Sequence, residues 1–212
     1  MHPSMRFTVG LLLTGCAGCI DAIGFIELGG YFTSFMSGNT TQLGINASAG
    51  TGVVLPLALV FSFFLGSLMG SLIAFRGDPR FVLAFVTLAS IATLALSLAG
   101  LPAMPGMLPL ALGAGAQNAV LPFSGGARLG VTFVSGTLFA AGQDLAGALA
   151  GRSPPWRWVE HLAVWMALLM GALAGAAVHR SVGVFAILGP AVLYSALIVS
   201  LSLAYRRIRE SQ

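Results

Sequence analysis

The sequence predicts an all-α polytopic membrane protein, with six transmembrane helices plus two re-entrant or broken helices in a 3+3 inverted repeat. Three observations lead there. The chain is 57% hydrophobic and 8% charged, whereas soluble domains carry charge at about a quarter of their positions. Several windows reach the ~20 apolar residues that a helix needs to cross a ~30 Å hydrocarbon core. The two halves also repeat the same features in the same order, the signature of internal duplication. No charge-rich stretch is long enough to form a separate soluble domain, so residues 1–212 form one membrane domain, with a first repeat over 7–100 and a second over 103–205.

Eight hydrophobic or semi-hydrophobic elements follow one another. The first, 7–29, is an apolar run with Asp21 about four turns in. Its two cysteines, Cys16 and Cys19, lie one turn apart and read as small buried residues, since two thiols are too few for a zinc site; no metal or cofactor is implied. "LLLTGC" has the look of a lipoprotein cleavage signal, but the apolar run continues past Cys16 into a bundle of further spans. The second element, 31–50, contains "FTSFMSGNTTQLG", with seven Ser, Thr, Asn and Gln side chains and two glycines where another apolar helix would be expected. Elements three and four, 52–75 and 81–100, are apolar, the third carrying the close-packing pair Gly66 and Gly70. The fifth, 103–123, ends in "GAQNA", and the sixth, 128–150, is again broken by a Ser-Gly pair. The seventh, 158–178, follows "SPPWRW", whose tryptophans suit an interfacial aromatic belt, and carries Gly171 and Gly175. The eighth, 183–205, ends at the basic group Arg206, Arg207 and Arg209.

The halves align in detail. "GCIDA" (18–22) matches "GAQNA" (115–119), "SFMSGNTTQLG" (34–44) matches "TFVSGTLFAAG" (132–142), and "GSLMGS" (66–71) matches "GALAGA" (171–176). Arginine supplies all ten basic residues. With eight crossings and a cytoplasmic N-terminus, six arginines fall inside and four (Arg76, Arg80, Arg128, Arg180) outside. If the second and sixth elements instead enter and leave on one side, nine fall inside and Arg180 alone outside. The positive-inside rule favours that arrangement. Three spans per half is an odd number, so the second half is inverted relative to the first, as in many transporters and channels.

This topology gives the broken elements a purpose. Irregular backbone is tolerated at membrane depth only where it is buried in protein or lines a wet cavity. Re-entrant tips at Ser37-Gly38-Asn39 and at Ser135-Gly136-Thr137 would bring two helix N-termini together near the centre, with hydroxyls as caps and Thr40 beside the first tip. Such a site suits an anion or a polar neutral solute. Close packing of glycines and back-bonded serines is the plain alternative. Asp21, whose repeat mate is Asn118 with Gln117 beside it, is an intramembrane ionisable residue and hence a functional candidate, either as a proton or cation carrier or as a strut for the Ser-Gly turn. Asp144 and its counterpart Asn46 fall nearer the surface, where an arginine salt bridge is the simpler role. Glu27, Glu160, His161 and His179 fall at span ends. "NTT" and "NAS" match a glycosylation pattern but lie in membrane-embedded sequence.

"GCIDAIGFIELGGYFTSFMSGNTTQLG" and "TFVSGTLFAAGQDLA" together resemble the YoaK-like family of small bacterial inner-membrane proteins, a family catalogued as a domain of unknown function. The likeness covers nearly the whole chain. Where the family usually has Thr before the Gly-Asn pair, Ser37 stands here and keeps the hydroxyl. The resemblance implies a six-span bacterial membrane protein and no particular substrate. Function then falls to a membrane transporter or facilitator for a small polar or anionic solute, in the inner membrane with both termini cytoplasmic. The alternatives are a passive channel, an intramembrane hydrolase built on the "FMSG" serine, and a structural or sensory subunit. The hydrolase lacks a mid-span histidine base, so no enzyme is expected. Partners would be the solute and the bilayer, with no nucleic acid, and the Gly-x-x-x-Gly faces would also allow a homodimer.

Overall fold

The computed structural model describes residues 3–121 and 134–210. Within them the chain forms α1 (Pro3–Glu27), α2 (Met36–Ser48), α3 (Val54–Ala74), α4 (Pro79–Leu98), α5 (Ala103–Gln117), α6 (Val134–Leu149), α7 (Arg157–Val182), a 3₁₀ turn (Gly183–Ile187) and α8 (Leu188–Glu210). No strand occurs among the described residues. The ends follow local chemistry. Asp78 caps α4 by accepting from Arg80 N–H, with Pro79 in the first turn, where its missing N–H costs nothing. Gly183, at φ +60°, takes a conformation that L side chains avoid and separates α7 from α8.

Among the described residues, four stretches are long and apolar enough to cross a membrane: Ser4–Glu27, Val54–Ala74, Pro79–Leu98 and Arg157–Leu203, the last containing α7 and most of α8. Two expectations need correction. The fifth element, expected over 103–123, is helical for only 15 residues, about 22 Å at 1.5 Å per residue. The second, expected from residue 31, becomes helical only at Met36, because Gly29 and Gly30, both at positive φ, end α1 and turn the chain back on itself.

Two apolar clusters, one toward each end of the bundle, give the helix directions. One joins Val9 and Leu13 from early α1 to Val82 and Val86 from early α4, Ala116 and Val120 at the close of α5, and Tyr194 and Leu201 of α8. The other joins Ile20 and Ile23 from late α1 to Leu59 of early α3, Met107 and Leu110 of early α5, and Ala186 and Ile187 before α8. Thus α1 and α5 run antiparallel. Ile73 and Ala74 close α3 against the first cluster, so α3 also opposes α1. The end of α1 and the start of α3 share one end of the bundle, and α2 makes no net passage between its ends.

Two helix crossings dominate the packing, α1 on α7 and α3 on α5. Both are glycine-built. A methyl on Gly171 would strike the Gly15 carbonyl, one on Gly18 the Leu168 carbonyl, and one on Gly175 the Cys19 backbone. On the other side, Gly66 meets the Leu112 carbonyl, Gly115 the Phe63 carbonyl and Gly70 the Ala116 backbone. Gly15, Gly18 and Cys19 of α1 therefore do what Leu112, Gly115 and Ala116 do on α5, and Leu168, Gly171 and Gly175 of α7 what Phe63, Gly66 and Gly70 do on α3. The Gly-x-x-x-Gly faces are thus occupied within the chain.

Candidate functional site

After Gly30 the chain runs back along α1 without helical structure, and its backbone groups need partners that lipid cannot supply. One face of α2 provides them. Asn39 accepts from Phe32 N–H at 3.0 Å and donates to Phe32 O at 2.6 Å. Gln42 donates to Gly30 O at 2.7 Å, and Asn46 donates to the Tyr31 hydroxyl at 2.9 Å and to Gly52 O at 3.1 Å. Residues 39, 42 and 46 are spaced as one helical stripe. Much of the polarity of "FTSFMSGNTTQLG" is therefore structural: an amide seam binds the return segment.

Asp21 holds the same segment from the other side. Its Oδ1 accepts from Thr33 N–H (2.9 Å), Thr33 Oγ1 (3.2 Å) and Ser34 N–H (2.5 Å), and its Oδ2 from Ser34 Oγ (2.6 Å). Thr33 Oγ1 also lies 3.1 Å from Ile20 O. Gly24 leaves room for this docking, since a methyl there would come within 2.5 Å of Thr33 Cγ2. Asp21 sits six residues before the end of α1 rather than at its middle.

A cavity of about 560 Å³ opens beside this knot, between α1, the return segment, the first turn of α6 and α7. Phe25, Phe32, Phe35, Leu138 and Trp165 form apolar walls, and Asp21, Ser34 and Ser135 supply the polar groups. The approach to α2, rather than its Ser37-Gly38-Asn39 tip, thus meets the start of α6 at one space. The expected site residues divide unevenly around it. Asp21 and Ser135 line it, and Ser135 and Gly136 are exposed at the start of α6 with Thr137 buried behind them.

The remainder are placed elsewhere. Ser37 and Thr40 are exposed on α2, and the helix has no side-chain cap: Thr40 Oγ1 donates back to Met36 O, and Ser37 O accepts from Thr41. Gly38 is a packing glycine, with the Phe35 ring 2.7 Å from where a Cβ would stand, whereas among the described residues nothing lies within 4 Å of that position on Gly136. Asn39 is fully buried and committed to Phe32. Gln117 donates to Leu13 O at 2.9 Å and accepts from the Tyr194 hydroxyl, tying α5 to α1 and α8. Asn118 donates back to Ala114 O at 3.1 Å. Neither belongs to the cavity lining, because α5 runs opposite to α1 and its end packs against early α1.

Thr33 and Ser34 lie in the polar stretch that the sequence singles out but outside its Ser-Gly tip, and the aromatic walls carry no motif, although Phe25, Phe32 and Phe35 flank the glycine break closely. The ionisable residues at helix ends pair off: Asp144 with Arg157 (3.4 Å) and His161 (3.2 Å), and Glu27 with His179 (2.7 Å). The arginine bridge expected of Asp144 is present.

Comparison with known proteins places the chain in a family. The profile of a family described as protein of unknown function (DUF1275) matches residues 9–200. The chain is 35% identical over 193 residues to the UPF0700 transmembrane protein RA0705 of Rhizobium meliloti (strain 1021), covering 88% of this chain and 84% of that one. No solved structure matches. A transmembrane relative and four stretches of membrane-spanning character make this a multi-pass membrane protein.

Proposed function

The chain belongs to the DUF1275 family of membrane proteins, and from that premise we propose that it is a transporter or facilitator for a small solute, with the cavity beside Asp21 as its site. One observation carries the reading. The non-helical approach to α2 and the first turn of α6 converge on one cavity lined by a carboxylate. Broken elements that meet in this way are the usual construction of transporter sites.

In the proposed topology six helices, α1, α3, α4, α5, α7 and α8, cross the bacterial inner membrane, and α2 and α6 re-enter from opposite faces with both termini cytoplasmic. The alternation of helix directions and the shortness of α2, 13 residues or about 20 Å, support it. Support for a 3+3 inverted repeat comes from the two glycine crossings, which use matching residues on α1 and α5 and on α7 and α3 although α1 and α5 run in opposite directions. Motion of one repeat against the other would open the cavity alternately to the two faces.

The test is thermal stability of the purified protein in detergent against small carboxylates, inorganic anions, nucleobases, sugars and amines, followed by flux into proteoliposomes. A true ligand at about 100 times its Kd stabilises the fold by ~2.7 kcal/mol. The expected result is a ligand whose shift disappears when the cavity is filled by Leu138→Trp, and whose uptake saturates. No stabilisation and no flux across the panel would overturn the reading.

A further inference from the structure

We infer that the solute is an organic cation, an amine or quaternary ammonium group on an apolar body. The inference rests on the transport reading for its biological meaning, but not for its chemistry. Among the described residues, Asp21 is the only charged side chain on the cavity lining, and neither arginine nor histidine lines it. An anion would meet that carboxylate with no compensating charge, and the N–H groups of Thr33 and Ser34 that could have received it are already taken by Asp21. Of the two solutes expected from the sequence, an anion or a polar neutral molecule, the anion therefore finds these N–H groups already occupied.

Asp21 keeps capacity for a cation. Oδ1 accepts three hydrogen bonds, but Oδ2 accepts only the one from Ser34 Oγ among the described residues, which leaves that oxygen a lone pair to spare. The surrounding walls suit the rest of such a molecule. Phe25, Phe32, Phe35 and Trp165 line the space, and a cation held among aromatic rings beside a carboxylate is the standard recognition of ammonium groups in low-dielectric surroundings. Phe32 stands edge-on to Phe35 at 5.2 Å and tilted to Phe25 at 5.0 Å, so the three rings form one continuous wall. The space of about 560 Å³ accommodates a solute of benzylammonium size with room for motion.

The experiment uses three probes of one shape: benzyltrimethylammonium, benzyl alcohol and phenylacetate. Binding to the purified full chain in detergent is measured by calorimetry, and flux of each into proteoliposomes separately. The expected result is binding of benzyltrimethylammonium and none of phenylacetate, with affinity falling about tenfold or more in Asp21→Asn, as the loss of a partly desolvated charge partner implies. Asparagine can still accept from Thr33 and Ser34, so the fold should survive. Ser135→Arg, which leaves the Asp21 hydrogen bonds untouched and places a competing guanidinium in the cavity, should abolish binding in the same way. Preference for phenylacetate, cation affinity in both variants unchanged from that of the unmodified protein, or no binding of the cation at 10 mM (about 2.7 kcal/mol) would each overturn the cation assignment. Cation binding without flux would uphold the assignment and sink the transport reading; flux of the alcohol or the anion without cation binding would do the reverse.

Discussion

Asp21 and Asn39 hold one short segment from two sides, and each serves backbone groups that no helix serves. Truncating either leaves buried N–H or C=O groups without partners, a loss of about 1–3 kcal/mol for each group so stranded. Asp21→Ala and Asn39→Ala should each lower thermal stability in detergent well beyond Asp21→Asn, and an unchanged melting point in Asn39→Ala would show that the amide seam contributes nothing. A second prediction concerns Asp78, outside the spans. The Arg80 side chain, and then its backbone N–H, hold the Asp78 carboxyl below the usual range. Because its folded-state value is lowered, this contribution is complete above the ordinary carboxylate value and disappears as pH falls through the lower folded one. Asp78→Asn should flatten the acid limb of the stability profile, and an identical limb would remove the role. At this scale the sequence marked Asp21 by its charge in an apolar run, but not its partners. Thr33 and Ser34 reach it only because the chain reverses at Gly29 and Gly30, and where a loop folds back is set by tertiary docking rather than by spacing.

The helices that cross at glycine were legible as pairs before their partners were known, because Gly66, Gly70, Gly171 and Gly175 recur at the spacing of one face. What the pattern could not say was which helix each face meets, or that both faces are spent inside the chain. Adding a methyl to Gly171 or Gly66 drives it into a backbone carbonyl that cannot move alone, so Gly171→Ala and Gly66→Ala should each cost about 1–3 kcal/mol. Gly44 and Gly142 are helical positions with nothing among the described residues within 4 Å of an added Cβ. Alanine there should instead stabilise by about 0.5–1 kcal/mol through helix propensity. Opposite signs in one melting series would confirm that crossing, not glycine content, sets stability; uniform small effects would discard the two-crossing account. The element boundaries that sequence placed poorly, the start of α2 and the end of α5, are places where apolar residues continue past the helix. Hydropathy reports the environment of a residue, and the environment is the same for a helix and for a return segment packed against it.

At the scale of the whole molecule, the six-crossing and eight-crossing topologies disagree about particular loops. With six crossings, the turns after α2 and after α4 lie on the face opposite the N-terminus. With eight, α2 and α6 also cross, and both turns move to the side of the N-terminus. Thr51 and Leu101 are exposed in those turns, and Ser4 is exposed near the start of α1. In a background of Cys16→Ala and Cys19→Ala, single cysteines at Thr51, Leu101 and Ser4 can be challenged in intact cells with a maleimide that does not cross membranes. The six-crossing topology requires Thr51→Cys and Leu101→Cys to react together while Ser4→Cys is protected until the membrane is opened. Protection of all three in intact cells would mean eight crossings. It would also dissolve the inverted repeat, because α1 and α5 would then cross in the same direction, against the antiparallel contact of Leu13 with Gln117 and of the two apolar clusters.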